Sequence, residues 1–146
     1  MQENLIQKYN IPGPRYTSYP TVPFWDDDSI NLDIWKDTVG MAFAESNAGE
    51  GISIYIHLPF CESLCSFCGC HKRITKRHEV ESPYIDALLN EWASYRRLFS
   101  ETALIMELNL GGGTPTFFSP DNLRSLIDGI LQHATLAEGY ELGFEA

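Results

Sequence analysis

Residues 52–70 read ISIYIHLPFCESLCSFCGC, and the first seven of them, Ile52 to Leu58, are rich in branched and aromatic side chains that alternate in type. That pattern marks a β-strand. Pro59 ends it, and a loop begins at once that holds all four cysteines of the chain, Cys61, Cys65, Cys68 and Cys70, separated by three, two and one residues. A disulfide framework would disperse its cysteines to staple distant segments. These four can converge on one small object instead, and a metal site held by thiolates under reducing conditions is the reading that fits.

Downstream of the loop, helix and strand signals alternate. Ser82 and Pro83 suit the cap and first turn of a helix with the apolar stripe Ile85, Leu88, Leu89, Trp92, Tyr95 and Phe99. ALIMELNL at 103–110 has too few polar residues for a surface strand, so a strand buried on both faces of a parallel sheet is expected. It runs into Gly111, Gly112 and Gly113. Ser119 and Pro120 open a second helix with the stripe Leu123, Leu126, Ile127, Ile130 and Leu131, and YELGFEA at 140–146 reads as a third strand. Strand, helix, strand, helix, strand predicts an α/β fold of βαβ units with a parallel sheet.

Upstream, Ile34, Trp35, Thr38, Val39, Ala42 and Phe43 have helical spacing. Asp26, Asp27 and Asp28 lie near the positive end of that helix, and Gly49 and Gly51 stop it. Residues 1–24 read as an irregular arm, because Pro12, Gly13, Pro14, Pro20 and Pro23 deny helix while Tyr9, Tyr16, Tyr19 and Phe24 offer surface for packing. Neither an internal repeat nor a low-complexity segment is present.

Ten Lys and Arg against 20 Asp and Glu give a formal net charge of −10, which argues against a generic nucleic-acid binder or a binder of anionic membranes. No apolar run approaches the roughly 18–20 residues that span a bilayer, and MQENLIQKYN lacks the basic and apolar regions of a secretion signal. A soluble, cytoplasmic protein is expected. Lys72, Arg73, Lys76 and Arg77, flanked by His71 and His78, reverse the charge locally. They form either a solvated face or a lure for a polyanionic substrate or an acidic electron donor.

Structural zinc commonly takes two cysteine pairs a dozen or more residues apart, whereas here four thiols crowd one loop. The single residue between Cys68 and Cys70 makes it awkward for both to turn onto one ion, leaving Cys61, Cys65 and Cys68 as the natural set. Three thiolates on a 4Fe-4S cluster leave one iron open to a non-protein ligand. This C-x3-C-x2-C after a strand resembles the radical S-adenosylmethionine (radical SAM) enzymes. With YIHLPFC, SFCGCHK, GGGTPT and the arm GPRYTSYPT, nearly the whole chain is similar to the oxygen-independent coproporphyrinogen III oxidase (dehydrogenase) family of haem biosynthesis.

The resemblance implies the N-terminal part of a radical SAM (βα)6 partial barrel, a 4Fe-4S cluster on Cys61, Cys65 and Cys68, and two molecules of S-adenosylmethionine. Tyr55, Gly112 and Glu145 would contact the cluster-bound molecule, and Phe67, Gly113 and Thr114 the second. Without it, Tyr55 could simply pack, the glycine triplet could be a plain turn, and Glu145 could be solvated. Gly111 to Gly113 do sit where a parallel strand ends, the edge at which α/β sheets bind ligands. His57 reads equally as a hydrogen-bonding strand residue or a contact near substrate, and no residue is assigned a catalytic role.

The implied reaction is oxidative decarboxylation of two propionates of coproporphyrinogen III to vinyl groups, giving protoporphyrinogen IX. In it, one electron from a reduced flavodoxin- or ferredoxin-like donor cleaves S-adenosylmethionine to a 5'-deoxyadenosyl radical, which takes hydrogen from the propionate β-carbon. The division expected is an arm and helix over 1–50 and the first half of the radical SAM core over 51–146, with further strands needed for activity. The arm is expected to fold over the open end of the barrel and touch substrate. Alternatives from other classes are a related haem chaperone, an Fe-S electron-transfer module and a zinc structural module.

Overall fold

A computed structural model describes residues 5–10, 24–25 and 30–145. Two compact units are formed, Met1–Leu32 and Asp33–Ala146. In the first, α1 (Leu5–Tyr9) is a short helix, which corrects the expectation of an irregular arm at these positions. The prolines begin only at Pro12, so nothing upstream of it blocks one turn of helix. The rest of the expected arm, with Arg15, Tyr16 and Tyr19, and the acidic run Asp26, Asp27 and Asp28 lie outside the described residues.

Helix α2 (Leu32–Ala48) forms where its spacing predicts, but Phe43 is the one side chain it buries. Phe43 stacks on Phe99 with ring centroids 3.7 Å apart, and Trp35 meets Tyr95 edge-on at 5.5 Å. Ile34 remains 48% exposed, so the expected stripe is only partly used.

Strands β1 (Ile52–Leu58), β4 (Ala103–Gly112) and β5 (Ala134–Phe144) form one parallel sheet in the order β1-β4-β5. Between them run α3 (Glu81–Arg96) and α4 (Pro120–Leu131). Two short parallel strands, β2 (Phe60–Cys61) and β3 (Arg73–Ile74), form a separate ladder in the cysteine region. The core joins Ile56, Leu58, Ile105, Leu108 and Leu110 of the sheet to Ile85 of α3 and Leu126 and Ile130 of α4. Each such side chain taken out of water contributes roughly 1.5–3 kcal/mol.

The second strand is buried on one face and only half-buried on the other, where burial on both was expected. Between Ile105 and Glu107 the register slips: β1 advances one residue, Ile52 to Ser53, while β4 advances two. This bulge rephases the alternation, so that Ile105 and Leu108 both reach the helices, leaving Glu107 and Asn109 half-buried. On the other side of β4, β5 advances from Leu136 to Glu141 over the same two residues, and Gly139 in that excursion has φ +77°. The third strand therefore begins at Ala134, earlier than YELGFEA indicates.

Helix α4 starts as expected, with the Ser119 side chain accepting the Asn122 N–H and Pro120 in the first turn. Helix α3 does not. A 3-10 turn (His78–Val80) leads directly into Glu81, and Val80, not Ser82, occupies the cap position without a side-chain bond. Pro83 is tolerated because the first-turn N–H groups have no partner inside the helix. Among the described residues no helix is long and apolar enough to cross a membrane.

Candidate cofactor site

The site lies at the C-terminal edge of the sheet, where β1 and β4 end side by side. Register pairs Tyr55 with Asn109, His57 with Gly111 and Leu58 with Gly112. The chain leaving β1 stays bound to the chain leaving β4: Gly113 N–H donates to Leu58 O at 2.8 Å and Thr114 N–H to Phe60 O at 3.0 Å. The Thr114 hydroxyl then donates to Cys61 Sγ at 3.3 Å. Parallel strands thus bring the first cysteine and the glycine turn, 53 residues apart, to one point.

The glycines there leave no room for side chains. A Cβ on Gly111 would stand 2.7 Å from the Glu145 carboxyl carbon and 2.8 Å from the Tyr55 hydroxyl, and one on Gly113 would stand 2.7 Å from the Pro59 carbonyl carbon. Gly112, at φ +111°, would press a Cβ against the His57 ring at 2.6 Å, and its backbone conformation is one that L-residues avoid. Gly112 N–H donates to Glu145 Oε2 at 3.0 Å, while Glu145 N–H continues the ladder onto Leu110 O at 2.9 Å. Tyr55, Gly112 and Glu145, far apart in sequence, therefore share one corner.

His57 lies 3.4 Å from the Tyr55 hydroxyl through Nδ1 and 2.6 Å from His71 O through Nε2. It ties the far end of the cysteine loop back to the sheet. Partial burial, and after it the negative charge of Glu145 and Cys70, push the Tyr55 hydroxyl above its usual pKa. The Cys68 thiol is lowered, chiefly by the Cys70 N–H and, against some desolvation, by Lys72. The Cys70 thiol is raised, first by Cys68 and then by desolvation.

The cysteines themselves are unequally placed. Cys61 is buried, Cys68 is half-buried, and Cys65 and Cys70 are exposed. Phe67 is fully exposed on the same loop. Among the described residues no three His, Cys, Asp or Glu side chains converge tightly enough to hold a metal ion. What fits a thiolate-bound cluster is the chemistry of the donors: four free thiols in one loop, one already accepting a hydroxyl hydrogen bond, beside a turn that a single methyl group would fill.

One group near the loop was missed by the sequence reading. Glu81, 2% exposed, accepts the Ser119 N–H at 2.8 Å and Asn122 Nδ2 at 2.7 Å, and lies 2.6 Å from His78 Nδ1. His78 stacks on Phe117 with centroids 4.5 Å apart and faces Glu62 of the cysteine loop at 3.6 Å. Desolvation would raise the Glu81 pKa, but bonds from Asn122, Ser119 and His78 outweigh it and hold the carboxyl below its ordinary value. His78 is raised, above all by its bond to Glu81. The only hint in the sequence is the spacing of three between His78 and Glu81.

A parallel sheet with a cysteine loop after its first strand and a glycine turn after its second defines the N-terminal part of a radical SAM partial barrel. The chain matches coproporphyrinogen III oxidase of Escherichia coli, a radical SAM enzyme, with a TM-score of 0.78 and 29% identity over 97% of this chain and 30% of that one. By sequence it is 37% identical over 142 residues to the oxygen-independent coproporphyrinogen III oxidase of Mannheimia haemolytica, covering 97% of this chain and 92% of the relative. The chain belongs to the oxygen-independent coproporphyrinogen III oxidase family. The Pseudomonas aeruginosa enzyme of that name is 38% identical over 92% of this chain, which spans 28% of the relative's length. No family model matches.

Proposed function

We propose that the chain at full length is a radical SAM oxidoreductase that converts coproporphyrinogen III to protoporphyrinogen IX without oxygen. The observation that carries this reading is the hydrogen-bonded junction of Cys61 with Gly113 and Thr114 at the sheet's C-terminal edge. It sets a thiol loop beside a backbone cradle, the pairing needed to hold a metal cluster and an amino-acid cofactor together.

Cys61, Cys65 and Cys68 would hold a 4Fe-4S cluster, which when bound supplies the electron for reductive cleavage of S-adenosylmethionine. The remaining roles follow from this chain's own atoms. Gly111 and Gly112 let a ligand approach the backbone closely, and the Glu145 carboxylate offers acceptors at the same corner for an amino group or a ribose diol. Tyr55 closes that corner with its ring and hydroxyl. The family resemblance, rather than any contact in the structure, gives Gly113, Thr114 and Phe67 to a second S-adenosylmethionine.

Anaerobic reconstitution with iron and sulfide, followed by EPR of the reduced full-length protein, tests the reading. A 4Fe-4S signal that changes on adding S-adenosylmethionine is expected, with formation of 5'-deoxyadenosine and a vinyl-bearing product from coproporphyrinogen III. A signal indifferent to S-adenosylmethionine would instead identify a plain electron-transfer module.

A further inference from the structure

The backbone around Cys61 is held on two flanks. Leu58 O and Phe60 O accept from Gly113 and Thr114, while the intervening carbonyls, Pro59 O and Cys61 O, accept from Arg73 N–H at 2.8 Å and Thr75 N–H at 2.9 Å. Carbonyls alternate direction along an extended chain, so the glycine turn and the 73–75 segment lie on opposite sides of Cys61. That second segment is the basic one. Residues 61–80 carry Lys72, Arg73, Lys76 and Arg77 against Glu62 and Glu79, a net of 4 − 2 = +2, while the other residues carry 6 − 18 = −12.

The charges are available. Arg73, Lys76 and Arg77 are exposed. Arg77 has only a loose contact with Glu79 at 3.8 Å, both side chains largely in solvent, and neither Arg73 nor Lys76 makes an ion pair among the described residues. Ile74, 45% exposed, sits between them in sequence, so the charges rather than an apolar patch set the character of this surface. By contrast the open face of the sheet carries Glu107, Glu141 and Glu145.

We propose that residues 72–77 are the docking surface for an acidic one-electron carrier protein, received on the flank of Cys61 that faces away from the glycine turn. The inference deepens the proposed function and rests on its cluster. A small polyanionic substrate drawn to these residues would be held on the wrong side of the Cys61 strand from Gly112 and Glu145. A protein with its own redox centre needs only to touch the outer flank. One electron leaves the carrier, which is oxidised by one, and enters the cluster, which is reduced by one; no bond or proton moves.

The test is the combined variant Arg73→Glu, Lys76→Glu, Arg77→Glu in the full-length protein, titrated with flavodoxin at low salt and at about 0.15 M ionic strength. Wild-type binding should weaken as salt rises. The variant should bind at least about tenfold more weakly at low salt and lose most of that salt dependence, while dithionite reduces the cluster equally well in both. Equal affinity and salt dependence in variant and wild type would overturn the proposal, as would absence of wild-type binding. A raised KM for porphyrinogen with unchanged flavodoxin binding would overturn it in favour of substrate steering. Should the reversed charges prevent folding, the Gln triple variant makes the same comparison. The flavodoxin titration needs no cluster, so failure of dithionite to produce a reduced 4Fe-4S signal would sink the proposed function and leave the docking surface decided separately.

Discussion

Cys70 shows how much one residue's position decides. It follows Gly69, stands exposed, and raises the pKa of the Tyr55 hydroxyl together with Glu145, so it belongs electrostatically to the corner proposed for S-adenosylmethionine. A fourth thiolate on the cluster would close the iron that this cofactor needs. Cys70→Ser should therefore keep iron and the 4Fe-4S spectrum, whereas Ser at position 61, 65 or 68 should lose most of the iron. Iron and sulfide analysis after anaerobic reconstitution distinguishes them, and a Cys70 variant as iron-poor as the others would remove the three-ligand assignment. Cysteine spacing alone reached this set of three, because thiols so close in sequence have few ways to be arranged. It did not reveal that Cys70 lies within electrostatic reach of Tyr55 and Glu145, since that reach runs through the fold.

At the scale of elements, the Glu81 carboxylate joins the first turn of α3 to the cap of α4, and through His78 it reaches the cysteine loop. Glu81→Ala would take the acceptor away from the Ser119 N–H and the Asn122 amide, costing roughly 0.5–1.5 kcal/mol for each hydrogen bond lost, because both donors can turn to water. Glu81→Gln keeps the shape and removes the charge, and its pH dependence follows by linkage. The lowered Glu81 pKa gives stability that is present above the ordinary carboxylate value and lost as pH falls through the folded one. The raised His78 pKa gives stability that is present below the ordinary imidazole value and lost as pH rises through the folded one. The difference in melting temperature between wild type and Glu81→Gln should therefore be greatest between about pH 4.3 and 6.5 and shrink on either side. A difference independent of pH would show that the pair titrates without consequence for stability.

For the molecule as a whole, the core is independent of the site. No hydrophobic residue between Phe60 and Val80 belongs to the hydrophobic cluster, and His78 meets it through its stack on Phe117 at the far end of the segment, so sheet and helices hold together with little help from the cysteine loop. Loss of a bound cluster should leave the far-UV circular dichroism nearly unchanged. It should also open the loop locally, because a ligand stabilises only the segments it bridges. Trypsin cleavage at Lys72, Arg73, Lys76 and Arg77 should be about tenfold slower in the reconstituted full-length protein than in the apo form. Equal cleavage rates in the two forms would mean that the loop is no more ordered by its cofactor than without it.

The sequence by itself determined the order of the three main strands and the helices before and between them, the parallel sheet, the cap at Ser119 and the crowding of thiols after the first strand. These are set by periodicity, by proline and glycine, and by spacing, which act over a few residues. Tertiary structure decided the rest. The bulge between Ile105 and Glu107 rephases one strand, a change that follows from pairing with two neighbours at once. Helix α3 begins at Glu81 because a carboxylate that can satisfy Ser119 and Asn122 outweighs a nominal cap at Ser82. Cys61 meets Thr114, and Gly112 meets Glu145, because parallel strands end on a common edge whatever length of chain lies between them. Contacts across such an edge depend on register and crossover, and no local pattern in the sequence encodes either.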